Sequence, residues 1–389
     1  MNKPALKVVQ SPSMGVEEGQ YWAAAGRSLH SLHYVIPWAD SMQPDMAQYF
    51  IRRFSSAEDV ILDPFSGRGT VALEAALSKR IAIASDSNPL AMRVTQAKLL
   101  PVDLAEVTLL LQQINIDAPV ALDRYDEYFA PFYDCDTYRE LCNLRRVIQR
   151  NPSRSTAFVE LLALSLLHGH SSGFFSVYSF PQAALTPEAQ TDLNNRRLQT
   201  PEYRAVVPRL IRKAASALRD GEMSRLASME QHLSLVHSDA RNLTHVPTAS
   251  VDLVVTSPPR PIARDWVGEQ WLQLWFAGIV KREVEAQLFD GTSIAQWQEF
   301  MNEVLFELAR VVKPGGRAVF ELKRSKVGAY LVELDDVLLP VIEEAFSRFW
   351  IVESLIVNKP EGVKLRHSLK DRSSPRDAQA SRALVLRRK

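Results

Sequence analysis

The sequence holds only two cysteines in 389 residues, Cys135 and Cys142, seven positions apart. They form no CxxC pair and imply neither a disulfide framework nor a zinc site. No run of 18 apolar residues occurs, so no membrane-spanning helix is expected. The opening residues, Met1-Asn2-Lys3-Pro4, lack an apolar signal core, and the chain reads as cytoplasmic. No internal repeat or low-complexity tract stands out. Disorder of the whole chain is excluded as well: 46% of residues are apolar and 23% charged, enough for a large core in one elaborated domain or two to three smaller ones.

The net charge of +1 hides an asymmetry. Residues 139–219 carry 12 Lys and Arg against 5 Asp and Glu, and residues 359–389 carry 10 against 3. Two basic blocks on an acidic remainder suit a polyanion held at one face.

Along the chain, residues 1–27 read as a polar N-terminal arm. Met46, Phe50, Ile51 and Phe54 have helical spacing over Pro44–Phe54. The period then changes. Asp59–Leu62 is a short apolar strand, Val71–Ser78 a helix, Ile81–Ala84 a strand ending in Asp86, and Pro89–Leu99 a helix with proline at a plausible first position. This βαβα start predicts a parallel sheet over 28–103. The alternation then stops, and 104–230 reads as a mainly helical insertion, a candidate target-recognition subdomain. It resumes over 231–389 with strands at Leu233–His237, Val251–Val255, Arg317–Leu322, Phe349–Val357 and Ala383–Arg387. Amphipathic helices are expected at Trp297–Val311 and Tyr330–Phe346.

The chemistry concentrates at strand ends. Asp63–Thr70 is a strand-to-helix turn with Gly67 and Gly69, where the backbone approaches a ligand closely and the next helix offers free N–H groups. Asp86 ends the second strand, where a carboxylate accepts both hydroxyls of a ribose. Asp239 follows a third strand, placed to receive an adenine amino group. Together they outline a nucleoside pocket at the carboxyl edge of a parallel sheet. His168 and His170 have no carboxylate near them in the sequence and read as helix-end histidines, so no metal is expected.

With these residues in view the chain resembles the S-adenosylmethionine-dependent amino-methyltransferases of DNA, which act on cytosine N4 or adenine N6. Asp63-Pro64-Phe65-Ser66-Gly67-Arg68-Gly69-Thr70 looks like their cofactor motif. Ser85-Asp86-Ser87-Asn88-Pro89 and Ser238-Asp239-Ala240-Arg241 resemble their ribose and adenine contacts. His33-Tyr34 through Pro44 is similar to the segment over the methionine end. Ser257-Pro258-Pro259 looks like the catalytic motif. The resemblance implies S-adenosylmethionine as cofactor and a Rossmann-like, seven-stranded α/β methyltransferase sheet whose last strand is antiparallel. It also implies DNA methylation of the restriction–modification kind, with RNA as the alternative substrate. Cofactor contacts are expected from His33, Tyr34, Asp63, Pro64, Phe65, Ser66, Gly67, Gly69, Thr70, Asp86, Ser87, Asn88, Asp239, Ala240 and Ser257.

An exocyclic amine on a base is a poor nucleophile. Ser257 hydroxyl and Pro258 carbonyl are candidate acceptors for its two N–H groups, and Pro259 stiffens the turn. A serine ahead of the prolines favours cytosine N4. The next residue is Arg260, where the family has an aromatic ring that stacks on the target base. A guanidinium plane also stacks on a base or meets a phosphate, and Trp266, Trp271 and Trp275 are candidates for the ring. A nucleic-acid binder with weak transfer activity is the reading from another class. Further phosphate contacts are expected from Arg196, Arg197, Lys364, Arg366, Lys370 and Arg372. Cytosine C5 chemistry is excluded, because it uses a cysteine typically placed after a proline and Asp134 and Leu141 precede the two here.

Overall fold

The computed structural model describes residues 15–22, 29–180, 183–359 and 380–389. Its strands in chain order are β1 (Gly15–Gly19), β2 (Val60–Asp63), β3 (Ile81–Asp86), β4 (Leu233–His237), β5 (Val251–Thr256), β6 (Val312–Glu321), β7 (Ser325–Val327), β8 (Tyr330–Val332), β9 (Trp350–Asn358) and β10 (Ser381–Arg388). Eight of them form one sheet in the order β1-β9-β10-β6-β5-β2-β3-β4, and β7 pairs with β8 alone. Strand β10 is antiparallel to both its neighbours, and the other pairs of the large sheet are parallel.

The strands read as apolar runs because the sheet is buried on both faces. Ile61, Leu253, Val255, Val319 and Val385 turn to one core. Their neighbours Leu62, Val254, Ala318, Phe320, Leu384 and Leu386 turn to the other. The first face is covered by α1 (Pro44–Phe54), α2 (Thr70–Leu77) and α3 (Pro89–Leu99). The 104–230 segment adds α4 (Leu104–Gln113), α5 (Cys135–Arg150), α6 (Arg154–Leu164), α7 (Pro187–Arg197), α8 (Val206–Ala217) and α9 (Met223–Met229). Its apolar residues, Leu144, Phe158 and Leu210 among them, belong to the same core as the sheet's first face. After α10 (Trp271–Ala277) and α11 (Lys281–Glu285), α12 (Ile294–Val311) and α13 (Leu334–Ala345) cover the second face.

Three elements differ from the sequence reading, the plainest being β6, which starts at Val312 where the strand was expected from Arg317. The sheet has an eighth strand, β1, inside the stretch expected to be a loose arm. An edge strand is held by backbone pairing and needs no alternating apolar pattern, so its polar residues concealed it. Glu17 pairs with Arg53 at 2.9 Å and Glu18 with Lys359 at 2.5 Å. The Tyr21 amide donates to Asn358 Oδ1 at 2.7 Å, and the buried Trp22 indole donates to Ser381 Oγ at 3.1 Å. The helix expected from Tyr330 begins instead at Leu334, because Gly328 (φ +61) turns the β7–β8 hairpin just before it. No helix among the described residues is long and apolar enough to cross a membrane.

From β2 the chain builds outward through β3 and β4, then returns to add β5 and β6 on the other side of β2. The reversal lies between β2 and β5, the place where such sheets open a ligand crevice at their carboxyl ends. The turn after β2 requires glycine at position 69. Its φ is +74, and a Cβ there would lie 2.7 Å from Thr95 Oγ1 on α3. Gly315 is equally left-handed (φ +82) but has open space around it. Gly69→Ala should therefore destabilise more than Gly315→Ala, which carries only the backbone cost of about 1–2 kcal/mol. Urea unfolding of the two variants measures the difference, and equal losses would show that α3 gives way without cost.

Candidate active site

Three strand ends are built alike. The Phe65 amide donates to Asp63 Oδ1 at 3.2 Å, the Asn88 amide to Asp86 Oδ1 at 2.8 Å and the Arg241 amide to Asp239 Oδ1 at 2.8 Å. Each aspartate thus accepts from the backbone two residues on, a turn that short side-chain carboxylates favour. The turns gather around one cleft. Asp63, Pro64, Phe65, Ser66, Gly67 and Thr70 line it from β2, Asp86, Ser87 and Asn88 from β3, Asp239 and Ala240 from β4, and Ser257, Pro258, Pro259 and Arg260 from β5.

Asp86 also accepts the Gly67 amide at 2.8 Å through Oδ2, tying the glycine turn to the next strand. Burial pushes its carboxyl above the ordinary range, against the pull of those two amides. A carboxylate has about four acceptor sites, so two remain for a ligand. Asp239 is differently placed: Arg241 Nη2 donates to its Oδ2 at 2.7 Å and Nε bridges both oxygens. Burial would raise this carboxyl, but Arg241 holds it below its ordinary value. Phe65 meets Phe300 of α12 at 5.9 Å between ring centres, and Phe289 meets Phe300 at 4.6 Å, giving the cleft an apolar wall.

Asp63 is buried at 4% exposure and braces two turns at once, since Thr256 Oγ1 at the end of β5 donates to its Oδ1 at 2.6 Å. On the β5 side, Trp297 of α12 donates from Nε1 to the Pro259 carbonyl at 2.8 Å, fixing the double-proline turn.

Trp38–Met42 lines the cleft as well and is called its roof. Trp38 Nε1 stands 3.3 Å from where a Gly67 Cβ would be. The loop is held by charge. Asp40 accepts from Arg260, lies 3.8 Å from Arg264, and its carbonyl accepts from Lys323 at 2.7 Å. His33 and Tyr34, expected over the cofactor, do not line the cleft. His33 is buried behind it against Glu74 at 2.7 Å, its imidazole pushed down to about 4 chiefly by burial, and Tyr34 is half exposed. Gly69 shapes the turn without lining the cleft.

Of the three tryptophans considered for a missing ring, Trp271 and Trp275 pack on Phe129 at 5.7 and 4.5 Å, inside an aromatic cluster. Trp266 lines the cleft, with the Arg264 guanidinium 4.2 Å from its ring centre. Arg196 and Arg197 sit in the last turn of α7, with Arg197 over the Tyr178 ring at 3.8 Å. Lys364, Arg366, Lys370 and Arg372 lie outside the described residues. His168 is buried, its Nδ1 against the Phe180 carbonyl at 2.5 Å and its Nε2 against Gln273 at 2.9 Å. Among the described residues no group of three or more His, Cys, Asp or Glu is arranged to hold a metal ion.

The sequence reading missed Lys323, Gln270 and Phe289 as lining residues. Lys323 had a signal, because it follows the carboxyl end of the apolar strand at Arg317–Leu322. Gln270 and Phe289 had none.

A family model described as DNA methylase, of the N6 and N4 methyltransferases, matches residues 15–97 and 251–378. Comparison with curated protein sequences finds no match. Among solved structures, an rRNA methylase from Streptococcus thermophilus is 10% identical, with a TM-score of 0.34 over 90% of this chain and 99% of that one. A proposed rRNA methylase from Clostridium thermocellum is 8% identical, with a TM-score of 0.35 over 94% and 100%. A proposed methyltransferase from Streptococcus mutans, in complex with SAH, is 6% identical, with a TM-score of 0.32 over 90% and 99%. All three superpose loosely.

The Asp63 brace has a pH signature. Burial pushes its carboxyl up to about 7, against the pull of Thr256 and the Phe65 amide and with the Asp86 charge adding to the rise. The folded state then holds this proton more tightly than the unfolded state, so stability falls as pH rises from 3.8 to about 7 and levels off above. Between about pH 5 and about pH 8 the loss from this group is on the order of 2–3 kcal/mol. Asp63→Asn should flatten the pH dependence of the denaturant midpoint by that amount, and an unchanged slope would clear Asp63 of the role.

Proposed function

The chain belongs to the DNA methylase family, and from that membership we propose that it transfers a methyl group from S-adenosylmethionine to an exocyclic amino group of a DNA base, cytosine N4 in preference to adenine N6. The observation that carries the reading is the single cleft in which Asp86 and the glycine turn face Ser257-Pro258-Pro259. The donor set fits the cofactor: Asp86 keeps acceptor capacity for ribose hydroxyls, and Phe65, Phe289 and Phe300 provide an apolar surface for an adenine plane. Bound there, S-adenosylmethionine supplies an electrophilic methyl group.

The chain's own residues position the nucleophile. The Ser257 hydroxyl and the Pro258 carbonyl accept the two N–H groups of the target amine. The prolines and Trp297 keep the carbonyl direction fixed. The preference for cytosine rests on Ser257 standing before the prolines. Arg260 replaces an aromatic residue; that Trp266 lines the same cleft supports it as the ring that stacks on a base turned into the cleft. Arg196, Arg197 and the basic residues of 359–389 supply phosphate contacts in this reading.

Two variants separate the halves of the site. Asp86→Ala should weaken S-adenosylmethionine binding by about 1–3 kcal/mol, the scale of hydrogen bonds to a charged group, as read by calorimetry. Ser257→Ala should lower turnover much more than cofactor affinity. Mass spectrometry of nucleosides from DNA and RNA of cells expressing the wild type identifies the product. N4-methylcytosine is expected; N6-methyladenine would move the target, a methylated RNA base would move the substrate, and no methylated base would end the reading.

Phosphate binding is tested by salt. Replacing Lys364, Arg366 and Arg372 together by Ala should flatten the log–log salt dependence of DNA binding by up to about 3 units, near 0.9 for each phosphate the variant no longer neutralises. An unchanged slope would assign the phosphates to Arg196 and Arg197.

A further inference from the structure

The basic block at 139–219 begins on α5, which contributes no residue to the cleft. Along this helix Cys142, Arg145, Arg146 and Gln149 recur at three, four and seven positions, with Arg150 beside them, so they share one face. That face walls a second cavity of about 370 Å³, whose other sides are Val120 and Ala121 and the rings of Tyr138 and Trp275. Among the described residues no acidic side chain lines it. The arginines to either side are paired, Arg139 with Asp136 at 3.0 Å and Arg154 with Glu230. Arg145, Arg146 and Arg150 have no carboxylate in ion-pair range among the described residues. Arg146 and Arg150 stand one turn apart, where like charges repel. Two of the three guanidiniums are nonetheless held in place. Arg145 Nε donates to the Trp275 carbonyl at 2.8 Å, with its guanidinium 5.6 Å from that ring centre, and Arg146 Nη1 donates to Asn143 Oδ1 at 3.1 Å. A guanidinium carries five N–H donors, so most of theirs are unspent. Burial pushes the Cys142 thiol up, and it brings no negative charge to the cavity at neutral pH.

One short helix joins this cavity to the cleft. Gln270, which lines the cleft, is the residue before α10, and Trp275 of the cavity follows five positions on. At 1.5 Å per residue that is roughly 7–8 Å along the helix axis, about the rise of two base pairs of a duplex. Resting on the base-methylation reading above, we propose that the cavity is a phosphate subsite, which takes the sugar–phosphate backbone of the same DNA whose base enters the cleft. The forks of Arg146 and Arg150 donate to phosphodiester oxygens, a geometry that guanidinium matches in bidentate fashion. Arg145, held against Trp275, adds a fixed positive charge at the inner wall. An acidic peptide would meet the same charges, but continuity with the cleft favours the polyanion that the cleft itself takes. Contacts of this kind set the register of the duplex and do not read its sequence.

The rival role is structural. Helix α5 ends at Arg150, and cations in a last turn stabilise a helix through its dipole with no ligand at all. Arg146→Gln combined with Arg150→Gln separates the two, with Arg145 left in place because it secures Trp275. The test is fluorescence anisotropy of a labelled DNA duplex, titrated with the full chain over a range of salt. The double variant should flatten the log–log salt dependence by up to about 2 units, near 0.9 for each phosphate it no longer neutralises, while its affinity for S-adenosylmethionine stays unchanged. Arg146→Lys with Arg150→Lys should recover the slope, since counterion release follows charge. An unchanged slope in the glutamine variant overturns the proposal, and a lowered melting temperature beside it marks the helix-end role. A lysine variant as flat as the glutamine variant overturns it too. Inorganic tripolyphosphate that binds wild type and not the glutamine variant, with the DNA slope unchanged, would give the cavity to a free phosphate compound instead. The slope is read without methyl transfer. DNA that stays unmethylated while the slopes differ therefore ends the transfer reading and keeps the subsite.

Discussion

The hydrogen bond from Thr256 to Asp63 is the contact on which the site depends. Strands β2 and β5 share only two register pairs, Ile61 with Leu253 and Leu62 with Val254, before their ends diverge. Divergence at the point where the strand order reverses opens a crevice; left unbraced, it would also let the two turns drift independently. A buried side-chain bond across the gap fixes the glycine turn relative to the double-proline turn. Everything the cleft does requires that relation, since methyl donor and acceptor have to meet in line within a few tenths of an ångström.

The floor and the roof are secured by different means. The floor rests on amides: Gly67, Phe65 and Asn88 donate to aspartates of β2 and β3, and Lys98 of α3 donates to the Arg68 carbonyl at 2.5 Å. The roof, Trp38–Met42, is tied at its centre by Arg260, Arg264 and Lys323, whose side chains are partly exposed. Half-solvated ion pairs are weak and sensitive to salt, whereas partly buried hydrogen bonds between backbone and side chain are screened less. Arg260 thus ties the Trp38–Met42 loop to the double-proline turn by a partly exposed ion pair.

Much of this was legible in the sequence where one local signal sufficed. Pro44–Phe54 and Pro89–Leu99 are helices with the limits read from apolar spacing and a first-position proline. The strand ends at Asp63, Asp86 and Asp239 and the Ser257-Pro258-Pro259 turn do meet in one cleft. What escaped reading depends on partners far along the chain. The Asp239 carboxylate is visible as a strand-end residue, but its capture by Arg241 depends on how the turn folds. His33 was expected over the cofactor from the resemblance of His33-Tyr34 through Pro44 to a family segment; Glu74, 41 positions on, holds it in the core.

Strand β1 carries a consequence of another kind. It pairs with β9 along five residues and covers what would otherwise be an open row of amides and carbonyls. A long exposed strand edge is a template on which other chains polymerise, and charged side chains on the outermost strand discourage that. Glu17 and Glu18 are such residues, each already paired to a cation of its own molecule. Trimming the chain ahead of Leu29 would keep every residue that lines the cleft and bare β9. Self-association and poor solubility would follow, and would be mistaken for a defect of the enzyme.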